Sequence, residues 1–99
     1  MFESFMTPDT ATSIAISGLQ FIAGDEDQIS RFIALTGISP DEMREAAGSE
    51  SFLIAVLEFF MGDEPTLLAF TASQNMDPAD IQKALYTFSP PGLNSGEVE

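Results

Sequence analysis

The sequence predicts an all-α protein, a compact bundle of about six helices. Three observations predict it: apolar residues recur at helical spacing, no stretch alternates as a strand would, and Gly, Asp and Pro punctuate the chain at regular intervals. Thr7 is placed to cap a first helix with Pro8 in its first turn, and Ala11, Ile14, Ala15, Leu19 and Ile22 form its apolar stripe up to Gly24. Asp25 opens a second helix, with Gln28 three residues on to complete a capping box; Ile29, Phe32, Ile33 and Leu35 supply its apolar side, and Gly37 its left-handed stop. Ser39-Pro-Asp-Glu42 is another capping box, opening a short helix through Met43 and Ala47 that Gly48 closes.

A fourth helix from about Glu50 to Met61 is apolar almost all round, which predicts a central position. Phe59 and Phe60 are adjacent and point about 100° apart, so either other helices surround this one or part of it faces a subunit or partner. Met43 and Met61 stand at core spacing as gap fillers. Gly62 ends this helix and Asp63 caps a fifth, with Glu64 and Pro65 in its first turn and Leu67, Leu68 and Phe70 directed at the core. Asn75 replaces the glycine stop, since Asn tolerates positive φ. Asp77-Pro-Ala-Asp80 then repeats the earlier cap, and Ile81, Ala84, Leu85 and Phe88 turn a sixth helix inward.

Sliding the chain by 38 residues aligns 13–48 with 51–86 without a gap, and 11 of the 36 pairs are identical, Gly24/Gly62, Asp25/Asp63, Glu26/Glu64, Phe32/Phe70 and Pro40/Pro78 among them. Chance at one offset gives about two. The expected organisation is one helical domain over 1–88, made of two three-helix copies at 13–50 and 51–88, followed by a flexible tail at 89–99 whose composition, SPPGLNSGEVE, has no period.

Charge narrows the functions. Sixteen Asp and Glu stand against three Lys and Arg, a formal net charge of -13, so a polyanion such as nucleic acid or an anionic membrane would be repelled. With no His and no Cys, the chain has no imidazole base, thiol nucleophile, disulfide, or N/S-ligated zinc site. The most apolar run, 52–61, is about half the roughly 20 residues that cross a bilayer. The start, MFESFMTPDT, lacks the positive region of a secretory signal, so the expectation is a cytoplasmic protein that does not enter membranes.

The conspicuous polar features are the acidic corners, Asp25-Glu26 and Asp63-Glu64, at equivalent positions of the two copies. They lack the D-x-D-x-D-G spacing of a calcium loop, and acids in a first helical turn follow from the helix dipole, so no metal and no cofactor is expected. Nothing singles out one pair of carboxylates for catalysis and there is no Gly-rich phosphate loop, so no catalytic residue is assigned and the chain reads as not an enzyme. The leading reading is an acidic protein–protein interaction or adaptor domain for an unknown, basic or apolar partner, with Asp25, Glu26, Asp63 and Glu64 as contact residues. The alternatives are a small carboxylate- or metal-dependent enzyme, and a homodimer formed through the Phe52 to Met61 helix. Phe2 and Phe5, with Met6, either fold back as a staple on the first helix or dock on a partner. Arg44 and Lys83 each have an Asp at i-3, Asp41 and Asp80, and Arg31 is placed among acids.

The stretch RFIALTGISPDEMREAAGSESFLIAVLEFFMGDEPTLLAFTASQNMDPADIQKAL, Arg31 to Leu85, resembles small alphaproteobacterial proteins grouped as the domain of unknown function numbered 3572. The likeness extends from about Ala15 to Leu85; its most specific pieces are Phe32 to Gly37, Pro40 to Arg44 and Asp63-Glu64-Pro65. It implies a bacterial cytoplasmic origin and a helical fold, and it transfers no activity. The three-helix module, with Met61-Gly62 after its first helix, is also similar in topology to ubiquitin-associated domains, which bind through that turn and the last helix. It departs from them in having Asp63 where an apolar residue would follow, and Ala23-Gly24 in the first copy.

Overall fold

Gly, Asp and Pro stop and restart the chain as their backbone chemistry requires, and six helices result among the described residues. The computed structural model describes residues 6–46 and 48–88. Its elements are α1 (Pro8–Ala23), α2 (Glu26–Thr36), α3 (Pro40–Ala46), α4 (Glu50–Met61), α5 (Glu64–Ser73) and α6 (Ala79–Phe88), with no strand among the described residues. Phe2, Phe5 and the tail from 89 lie outside the described residues.

The ends follow the local chemistry. Thr7 accepts from the Thr10 amide at 3.2 Å, with Pro8 beginning α1. Asp25 accepts from the amides of Asp27 and Gln28, and Asp63 from that of Thr66, satisfying donors that a helix start leaves unpaired. Before each of these caps a glycine, Gly24 and then Gly62, finishes the preceding helix with right-handed φ, and the next residue turns extended. Ser39 and Glu42 form the full reciprocal box: the Glu42 amide donates to Ser39 Oγ at 3.3 Å and the Ser39 amide to Glu42 Oε1 at 2.9 Å. The box expected at Asp25 forms on one side only, because the Gln28 side chain turns away to accept from Arg31. Asp77 caps α6 through the Ala79 amide at 2.8 Å, while Asp80 pairs with Lys83 instead of returning to the cap.

Left-handed stops occur at both expected positions, Gly37 at φ 75° and Asn75 at φ 54°. At the second, Met76 donates to the Thr71 carbonyl at 2.8 Å and Asn75 to that of Ala72 at 3.2 Å, a Schellman closure that satisfies the last carbonyls of α5.

In packing, α4 is central. It lies against α1, α5 and α6; α6 lies across both α1 and α4, and α2 rests on α1. Phe52, Leu53, Val56, Leu57, Phe59 and Phe60 are all buried against the neighbouring helices, while Ser51, Glu58 and Met61 stay exposed on α4, so the helix is central but not covered all round. The rings form a continuous chain, with Phe32 edge-on to Phe52 and Phe59 at 5.8 and 5.3 Å, and Phe60 stacked on Phe70 at 4.6 Å with Phe21 tilted beside them. Burying each of Phe32, Phe60 and Phe70 contributes about 2 kcal/mol by area transfer. The crossing of α1 and α4 is tight at Gly18, where a Cβ would stand 2.6 Å from the Phe60 ring and 3.3 Å from Val56.

Three expected core residues are on the surface. Leu35 is 71% exposed, Leu68 45% and Met61 39%. Met43 is buried as expected, but Met61, the last residue of α4, stays exposed. On α5 the buried face runs through Thr66, Phe70 and Thr71, with Leu67 half-buried, so Leu68 falls on the opposite side. Thr71 is tolerated inside because its hydroxyl donates to the Leu67 carbonyl at 2.9 Å. No described helix is long and apolar enough to cross a membrane.

Candidate functional site

The acidic corners are built by chain reversals after α1 and α4, where Gly24 and Gly62 are followed by Asp25 and Asp63. The two corners differ in what surrounds them. Asp25 and Glu26 are exposed, and Asp25 is occupied only with capping. Asp63 is half-buried and is the focus of a network centred on Arg31 of α2. Arg31 Nη2 lies 3.2 Å from Asp63 Oδ1, and its Nη1 donates to Asp63 Oδ2 at 3.4 Å and to Thr66 Oγ1 at 3.1 Å. The Thr66 hydroxyl in turn donates to Asp63 Oδ2. The guanidinium also lies over the Phe59 ring, 5.5 Å from its centre, where the electron-rich face favours a cation. Arg31 therefore ties α2 to the start of α5 and to α4.

The Thr66 hydroxyl bond first, then the donors of Arg31, hold the Asp63 carboxyl below the ordinary aspartate range, against the opposing effect of partial burial. Glu42 is lowered similarly by the Ser39 amide and hydroxyl that it caps. Glu64 projects from the first turn of α5 and is exposed.

Of the four acids expected to make contacts, Asp25, Glu26 and Glu64 remain at the surface and Asp63 is committed within the fold. No hydrogen bond or ion pair joins Asp25 or Glu26 to the second corner among the described residues; Arg31 binds Asp63 and Thr66 there and, on its own helix, Gln28. Phe2 and Phe5 lie outside the described residues. The two local ion pairs also form, Arg44–Asp41 at 3.6 Å, well exposed, and Lys83–Asp80 at 4.0 Å, with Asp80 half-buried. Each cation in the chain thus has an in-chain carboxylate partner. Among the described residues, no group of three or more acidic side chains converges as a cation site would require.

Two open apolar depressions accompany these charges. One of about 400 Å³ is lined by Pro8, Thr12 and Ile16 of α1, Glu50 and Leu53 of α4, and Phe88 of α6. The other, about 220 Å³, is lined by Leu35, Thr36, Ala55, Glu58 and Phe59. Sequence reasoning placed Leu35 in the core and had no signal for either depression, since each depends on how helices distant in the chain meet.

The described residues define a small bundle of six helices, in a chain of net charge -13, with shallow apolar depressions on its surface. Over residues 8–91 the chain matches the family described as Protein of unknown function (DUF3572), and it belongs to that family. The match spans all six helices and reaches past both ends of the Ala15 to Leu85 stretch that carries the resemblance in sequence. No curated protein and no solved structure matches the chain, so the likeness to ubiquitin-associated modules rests on helix order alone.

Proposed function

We propose that this chain is a noncatalytic interaction domain of the bacterial cytoplasm that engages a partner protein carrying basic groups. One observation carries the reading. Arg31, Arg44 and Lys83 are each paired with an acid of the same chain, so most of the exposed carboxylates have no internal counter-charge, in a protein whose net charge is -13. A surface of one sign accelerates encounter with an oppositely charged partner and makes the complex sensitive to salt. Asp25, Glu26 and Glu64 supply contact charge, while Asp63 holds the second corner in shape. The near-equivalence of the corners at a 38-residue offset supports a duplicated three-helix unit as the origin of this arrangement.

The test is capture by the tagged full chain from lysate, at low salt and at about 0.5 M salt, where screening is short-ranged. A stoichiometric basic protein released by salt, and lost when Asp25, Glu26 and Glu64 are replaced by their amides, is the expected result. A bait that captures nothing at either salt contradicts the reading.

A further inference from the structure

The smaller depression has a polarity that the larger one lacks. Leu35 and Thr36 belong to the last turn of α2, and Glu58 and Phe59 to the last turn of α4. Neither last turn contains a basic residue, so the negative ends of two helix dipoles meet there beside the Glu58 carboxylate. The nearest cation on α2, Arg31, lies one turn before Leu35, where it is paired with Asp63 and its guanidinium lies 5.5 Å from the centre of the Phe59 ring. The apolar part of the lining is Leu35, Ala55 and Phe59. Leu35 is the most exposed large apolar side chain among the described residues, and its cap is otherwise complete, with Gly37 donating to the Ile33 carbonyl at 2.7 Å. By contrast, the α1–α4–α6 depression sets Pro8 and Glu50, at two helix starts, against the end of α6, which gives no single sign of charge.

We infer that the α2–α4 depression is the docking point for a basic amphipathic segment of a partner protein. An apolar side chain of that segment seats against Leu35, Ala55 and Phe59, and a neighbouring Lys or Arg reaches Glu58 and the carbonyl end of α2. This deepens the interaction reading above and rests on it. Apolar contact supplies the anchor and the negative rim selects the sign of the partner.

The probe is a synthetic Leu/Lys amphipathic peptide of about three helical turns, with two controls in which its Leu residues become Ser or its Lys residues become Glu. Amide chemical shifts of the full chain, followed during titration at low salt, should move most at Leu35, Thr36, Ala55, Glu58 and Phe59. Neither control peptide should reproduce the shifts. Leu35→Ser and Glu58→Gln should each weaken binding about tenfold, the size of a modest interface anchor, while thermal unfolding stays where it is because both side chains are exposed. Shifts centred on the α1–α4–α6 depression, on the Asp25 and Glu64 corners, or on a concentration-dependent self-contact would overturn the placement. So would unchanged affinity in both variants. If the Lys peptide binds elsewhere, the site is wrong and the acidic interaction reading stands; if it binds nowhere at low salt, both are wrong.

Discussion

Arg31 shows how one side chain can decide what a neighbouring acid is for. Asp63 and Asp25 occupy equivalent sequence positions and both cap a helix, yet only Asp63 meets a guanidinium, because Arg31 reaches it from 32 residues away. With the pair partly exposed, Arg31→Met, which keeps an aliphatic stem and removes the charge, should cost about 1 kcal/mol or less in urea unfolding. Combining it with Asp63→Asn should cost less than the two single losses added, since both remove the same pair. Acid unfolding gives a second check. A carboxyl lowered in the folded state stabilises it fully above the ordinary aspartate range and loses that contribution as pH falls through the folded value. Asp63→Asn should therefore flatten the fall in Tm below about pH 4 relative to the wild type. A third residue, Gly18, sets the approach of α1 to α4. Gly18→Ala gains up to about 1 kcal/mol in helix propensity but drives a methyl into Phe60, which Phe70 and Phe59 hold in place; overpacking of about 1 to 3 kcal/mol should prevail, giving a lower Tm.

At the scale of elements, helix ends were the most legible part of the chain because a cap is decided within four residues. Thr7, Asp25, Ser39, Asp63, Gly37 and Asn75 all act where the sequence places them. Gly37→Ala forces a Cβ into left-handed φ and should destabilise by about 1 kcal/mol, whereas Asn75→Gly should be close to neutral, both read from urea midpoints at constant m. What a local pattern cannot convey is which neighbour arrives. Leu35 and Leu68 lie at plausible apolar positions on short helices, but the helices packed beside them cover other faces, and Thr66 and Thr71 are buried in their place. The Gln28 half of a capping box failed for the same reason, since Arg31 competes for its carbonyl oxygen. Likewise, the depression between α2 and α4 exists only once residues 19 to 24 apart come together.

For the whole molecule, the central apolar helix and the acidic exterior perform separate work. Enclosing α4 removes its Phe-rich faces from solvent, leaving surface recognition to exposed carboxylates and shallow apolar depressions. The claim that matters most is that the carboxylates without an internal partner drive association. Its most direct test is the dependence of partner affinity on salt, measured by calorimetry for the wild type and for the triple amide variant of Asp25, Glu26 and Glu64. The account predicts a steep loss of wild-type affinity between about 0.05 and 0.5 M salt, and a weaker, much flatter dependence for the variant. Equal affinities and equal slopes for the two proteins would contradict it.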